Sequence, residues 1–164
     1  MSYVFDSSSL IYFGKIKLLE KIDLLEGKKF IPKEVYEEVV ERGLERNEPE
    51  AQYVNNLIKK KVFVIRQVEE DFINADGLSM ADAKVLSLAK ETKSIAVIDE
   101  IYANSIAESY GIESHGSIYI IFKLIKKKII SKKEAVRYLD KMISLGFYLS
   151  AGKYREVLDF INRI

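Results

Sequence analysis

Through Gly116 the chain alternates short runs of β-branched and aromatic residues with segments of helical spacing, and this alternation constrains the fold more than any other feature. Residues 2–6, 28–31, 62–65 and 95–98 read as strands apolar enough to be buried on both faces. Between them, helical patterns begin at Ser7-Ser8-Ser9, run from Ile16 to Leu25, follow Pro32 as far as Gly43, extend from Pro49 to Lys60, open at Ser79 toward Lys90 and occupy 100–109. Strand, helix, strand, helix implies a Rossmann-like, mainly parallel α/β sheet flanked by helices. Beyond His115-Gly116 the pattern is wholly helical, over 117–127, 131–145 and 151–163, so a C-terminal helical extension is expected on the α/β part. With 164 residues and no Pro/Gly/Ser-rich divide, the expectation is one domain over 1–164, its α/β part covering about 1–116.

Two of the strands stop on acids: Asp6 closes the first, and Asp99-Glu100 closes the fourth. In such a sheet a ligand sits beyond the carboxyl ends of the strands, so both groups face one crevice. Gathering carboxylates is costly unless a cation holds them, and further acids there would argue for a hard divalent metal. The rest of the composition narrows the chemistry to carboxylates. There is no cysteine, which removes disulfides, zinc-thiolate sites and thiol catalysis, and a lone His115 removes any histidine-rich metal site. Lys and Arg number 26 against 25 Asp and Glu, so no global field announces nucleic acid. The lysines from Lys123 to Lys133 are interrupted by no acid, and a solvated turn between two helices accounts for them. If metal neutralises the acids of the crevice, the remaining surface is net basic and suits a polyanion. The chain shows neither a leader-like apolar region nor a bilayer-spanning stretch, so a soluble cytoplasmic protein without membrane contact is expected. Its Lys-, Glu- and Ile-rich composition resembles that of thermophile proteins.

Each acid also has a purely structural reading. Asp6 suits a helix N-cap or turn, but any of the three following serines could cap instead and leave its carboxylate free. Ser79-x-x-Asp82 matches a capping box, yet Val85, Leu86 and Ala89 share the face of Asp82 and place it inward near the positive end of its helix. In the helix after Pro32, Glu38 borders the apolar arc on the Val35 side and Glu37 on the Val40 side, and spacing alone leaves both open. Of Asp99 and Glu100, one can cap the following helix while the other ligates. His115-Gly116-Ser117 reads as a turn and N-cap, and the tyrosines read as amphipathic packing.

Taken in order, Val4-Phe5-Asp6-Ser7-Ser8-x-Leu10-Ile11, Ile31-Pro32-x-x-Val35-x-x-Glu38-Val39, Leu78-Ser79-x-Ala81-Asp82-Ala83-x-Val85-x-x-Leu88-Ala89 and Val97-Ile98-Asp99-Glu100, with Ala103 three residues on, resemble the PIN-domain nucleases. The likeness continues through Gly111-Ile112 and His115-Gly116-Ser117 to Leu145-Gly146-Phe147-Tyr148-Leu149-Ser150, and it is greatest toward the prokaryotic branch that includes toxins of toxin–antitoxin pairs. This resemblance implies an Mg²⁺- or Mn²⁺-dependent endoribonuclease. Its acidic site would comprise Asp6, Glu38, Asp82 and either Asp99 or Glu100, with Ser7 and Ser8 toward the substrate. RNA is the implied substrate and a small antitoxin protein the implied partner, with a homo-oligomer left open. Two departures stand out: Asp99-Glu100 replaces paired aspartates, and Asn104 stands where several relatives carry a basic residue. Two rival readings use the same residues, a catalytically silent PIN-like module that binds protein or RNA, and a metal-dependent phosphatase.

Overall fold

The computed structural model describes residues 1–71 and 73–164. Five parallel strands form one sheet in the order β3-β2-β1-β4-β5: β1 (Ser2–Phe5), β2 (Lys28–Pro32), β3 (Val64–Arg66), β4 (Ile95–Val97) and β5 (Ser114–His115). The chain builds outward from β1 on one side through β2 and β3, then crosses to the other side for β4 and β5. The switch point therefore lies between β1 and β4, where Phe5 pairs with Val97. Val4, Phe5, Ile31, Ala96 and Val97 are fully buried, as expected of strands covered on both faces.

The helices follow the sequence reading with instructive shifts. They are α1 (Ser7–Lys15), α2 (Leu19–Asp23), α3 (Lys33–Tyr36), α4 (Arg42–Glu45), α5 (Pro49–Lys59), α6 (Met80–Thr92), α7 (Ile101–Ser109), α8 (Ser117–Lys126), α9 (Lys132–Ser144) and α10 (Ala151–Arg163). Between α3 and α4 a π-helical turn covers Glu37–Glu41. The expected continuous helix after Pro32 is thus broken by an inserted wide turn, a feature that a uniform 100° spacing cannot reveal. Pro32 itself belongs to the end of β2 and caps α3 rather than occupying its first turn. The third strand starts at Val64 and not Val62, because Lys61 takes a left-handed conformation (φ 64°) and Val62 still closes α5 through its bond to the Leu57 carbonyl. β5 overlaps the turn expected at His115-Gly116-Ser117: two residues are too few to register as a strand pattern, and the Glu113 carbonyl accepting from Ala96 shows what holds it.

The helical extension falls where the spacing put it. Ser131 and Glu134 form a reciprocal capping box at the start of α9, and the lysine-rich segment is the end of α8, a turn with Lys128 at φ 58°, and the start of α9. Leu124, Ile130, Leu139, Met142, Val157 and Ile161 carry these helices into the same apolar cluster as the sheet. No helix among the described residues is long and apolar enough to cross a membrane.

Candidate functional site

Beyond the carboxyl ends of β1 and β4 lies an open crevice of about 560 Å³, lined by Asp6, Glu38, Asp82, Asp99 and Glu100 together with Ser7, Ser8 and Ser79. Of the six acids singled out in the sequence, all but Glu37 therefore line this one crevice. How each is held differs from the expectation.

Asp6 is itself the N-cap of α1. Its Oδ1 accepts the Ser9 amide at 2.8 Å, while the Ser9 hydroxyl donates to the Asp6 carbonyl at 3.1 Å. The expected relief by a capping serine does not occur, so half of this carboxylate is already engaged. Its burial, together with the charges of Asp99 and Asp82, pushes its pKa up to about 7 against the opposing Ser9 bonds.

Glu38, and not Glu37, belongs to the crevice. Glu37 reaches back along the surface to Lys33 at 3.8 Å, whereas Glu38 Oε2 accepts the Ser7 hydroxyl at 2.8 Å. The π-helical turn is the element that presents Glu38, and Ser7 holds it there. At the start of α6, Ser79 caps through the Asp82 amide at 3.1 Å, but the reciprocal half of the capping box is not formed. The Asp82 carboxylate lines the crevice, and its burial raises its pKa against the opposing Ser79 hydroxyl, with the charges of Glu100 and Glu38 adding to the rise.

Of the two acids after β4, Glu100 caps the following helix, as expected of one of the pair, and the carboxylate of Asp99 is engaged as well. Glu100 Oε2 accepts the Ala103 amide at 2.8 Å and starts α7. Asp99 serves α8: its Oδ1 accepts the Ser117 amide at 2.7 Å and its Oδ2 the Ser117 hydroxyl at 2.6 Å. Burial raises the Asp99 pKa, opposed by these bonds. Gly116 makes this grip possible, since a Cβ there would stand 2.7 Å from Asp99 Oδ1. Gly116→Ala is expected to cost roughly 1–3 kcal/mol of stability by urea unfolding, and most of that cost should vanish in an Asp99→Ala background, where the clashing oxygen is gone. An undiminished cost in the double variant would show that the Asp99 contact is not its cause. Asn104 turns inward, its amide donating to the Ile98 and Glu100 carbonyls at 2.9 and 3.0 Å. It pins the β4–α7 turn.

Sequence reasoning missed the apolar wall. Tyr12, Ile101, Phe147 and Tyr148 also line the crevice, with the rings of Tyr12 and Phe147 edge-on at 5.4 Å. Phe147 and Tyr148 lie in the α9–α10 loop, so the helical extension closes one side of the site. The Gly146-Phe147-Tyr148 run was a visible signal, but distance along the chain hid its neighbour.

The donor set suits a hard divalent cation: five carboxylates, and no ion pair to any of them among the described residues. With the side chains as they stand, no group of three His, Cys, Asp or Glu among the described residues is close enough to share one ion. Hydrogen bonds to Ser7, Ser9, Ala103 and Ser117 draw the acids to the walls. Glu38 and Glu100 are exposed at the crevice.

The raised pKa of Asp6 has a definite consequence in chelator. The folded protein holds this proton more tightly than the unfolded chain, so the stabilisation is complete below about pH 4 and is lost as pH rises through about 7. Asp82 and Asp99 act in the same direction. Stability by urea unfolding should therefore fall between these limits with a slope of up to about 1.4 kcal/mol per pH unit from Asp6, and Asp6→Asn should flatten it. A stability that rises over this interval in both proteins would contradict the burial of an uncompensated carboxyl.

A parallel sheet flanked by helices, with an acid-lined crevice at its switch point, defines a class of α/β protein in which the ligand site is built from strand ends. A family model described as PIN domain matches residues 2–163, and the chain belongs to the PIN-domain family. Among solved structures it is similar to a PilT N-terminus domain protein from the hyperthermophilic archaeon Sulfolobus solfataricus, with 12% identity and a TM-score of 0.56 over 76% of this chain and 94% of that one. It is also similar to a domain of a functionally unknown protein from Methanocaldococcus jannaschii, with 22% identity and a TM-score of 0.49 over 70% of this chain and 89% of that one. The first likeness concerns the fold. No match was found among curated proteins.

Proposed function

We propose that this PIN-domain protein is an Mg²⁺- or Mn²⁺-dependent endoribonuclease. The observation that carries the reading is the convergence of Asp6, Glu38, Asp82, Asp99 and Glu100 on one crevice with no cationic side chain among the described residues paired to any of them. Asp6, Glu38, Asp82 and Asp99 would hold the cation, with Glu100 beside it, acting through water or on a second ion. Bound there, the metal supplies charge neutralisation at the phosphate and a water of lowered pKa. The protein's own part is positioning. Ser9 and Ser117 fix the carboxylates of Asp6 and Asp99, Ser7 sets Glu38, and Ser7 and Ser8 stand at the crevice surface where a phosphate oxygen would approach. The motif resemblance extends the reading to the toxin of a toxin–antitoxin pair, silenced by a small antitoxin protein, in the cytoplasm.

A second reading, a catalytically silent RNA- or protein-binding module, is favoured by the engagement of both Asp99 oxygens with Ser117 and by the spread of the acids. Incubating the protein with RNA, DNA and a chromogenic phosphate monoester, each with Mg²⁺, Mn²⁺ or EDTA, separates the readings. Cleavage of RNA alone, and only with metal, is the expected result. Turnover of the monoester would indicate a phosphatase, and inertness toward all three a silent module.

A further inference from the structure

A second depression, of about 610 Å³, lies between α8 and α10 and joins the acidic crevice, with Asp99 and Phe147 lining both. Its walls are aromatic where those of the crevice are acidic. The His115 and Tyr119 rings stack with centroids 3.9 Å apart and planes 10° from parallel, and Phe122 meets Phe160 at 4.4 Å. All four rings are only partly buried. Exposed Lys153 and Arg163 line the groove, and two lysines outside its lining lie over its rings, Lys123 Nζ 5.7 Å from the Tyr119 centroid and Lys126 Nζ 5.5 Å from that of Phe160. The acids present are already engaged, Glu156 with Lys153 at 3.3 Å and Asp99 with Ser117.

We infer that this groove receives an unstacked base of a single-stranded RNA whose neighbouring phosphodiester lies in the acidic crevice, an inference that rests on the ribonuclease reading of that crevice. Aromatic faces take a base of any identity by stacking, and lysine and arginine beside them follow the backbone phosphates. The two depressions thus divide the parts of a nucleotide between them. A paired strand cannot use the groove, because its bases are stacked within the duplex. The neighbouring crevice and the cations Lys153 and Arg163 favour RNA over an apolar protein segment, which has no need of either.

The test is binding of a short single-stranded oligoribonucleotide carrying a fluorescent adenine analogue, in EDTA so that no strand is cut. Quenching on binding to the wild-type protein is expected. Tyr119→Leu and Phe160→Leu should each weaken binding roughly tenfold, while Tyr119→Phe, which keeps the ring, should not. Melting curves identify variants that remain folded, and Phe160, partly exposed on the last helix, keeps the test open if Tyr119→Leu fails to fold. Quenching that is absent, or unchanged in folded variants, overturns the inference. So does ring-dependent binding of an amphipathic helical peptide in place of RNA. The two failures are distinguishable: RNA cleaved with Mn²⁺ but bound without ring dependence leaves the nuclease and removes the base site, whereas ring-dependent quenching without cleavage removes the nuclease and leaves the base site.

Discussion

Asp6→Asn should lower RNA cleavage by on the order of a hundredfold to a thousandfold while leaving the protein at least as stable in chelator as the wild type. Asparagine is as good an N-cap as aspartate, so the bond from the Ser9 amide that starts α1 survives the change. What is lost is a carboxylate buried beside Asp82 and Asp99, whose pKa is already pushed up to about 7 by that environment. Removing it relieves repulsion without metal and weakens the hold on a cation. In thermal melts, millimolar Mg²⁺ or Mn²⁺ should raise the wild-type midpoint and move that of Asp6→Asn much less. Alanine at this position would confound the two roles, since it removes the cap as well. If Asp6→Asn unfolds the protein, Asp6 serves the fold through its charge and not the site.

Asp99→Asn should cost far more activity than Glu100→Gln. The sheet ladder does not anchor Asp99, because β4 ends at Val97, two residues earlier. Asp99 is anchored instead from α8, by both the amide and the hydroxyl of Ser117, with Gly116 allowing the approach. An asparagine can keep both contacts, its oxygen accepting from the amide and its nitrogen donating to the hydroxyl, so the variant should remain folded and isolate the charge. Glu100 is exposed and bonded through one oxygen to the helix it caps, and glutamine preserves that bond. Steady-state cleavage with Mn²⁺ compares the two. A large loss in Glu100→Gln with little in Asp99→Asn would make Glu100 the fourth acid of the site.

The parallel sheet was legible because buried strands and amphipathic helices differ in period, and the site was legible because Asp6, Asp99 and Glu100 stop apolar runs at the sheet's carboxyl edge. Helical spacing could not choose Glu38 over Glu37, since the π-helical turn that presents it changes the angular spacing on which a helical wheel depends, and the motif resemblance alone singled it out. Capping was legible at Ser79, where partner and cap are three residues apart. It was hidden at Asp99, whose partner Ser117 is distant in sequence and comes close only when β5 completes the sheet. The same distance concealed Phe147 and Tyr148 as walls of the crevice, and the groove of His115, Tyr119, Phe122 and Phe160 beside it.

The central claim is that the acid crevice hydrolyses RNA with water and metal, and the ends of the products test it most directly. RNA is incubated with the protein in heavy-oxygen water with Mn²⁺, and with EDTA, and the fragments are weighed by mass spectrometry. Metal-assisted attack by water predicts linear phosphate ends carrying one solvent oxygen, formed with Mn²⁺ and absent with EDTA. Cyclic phosphate ends free of solvent oxygen, formed equally with and without metal, would mean that the ribose 2′-hydroxyl is the nucleophile and that the carboxylates hold no catalytic cation.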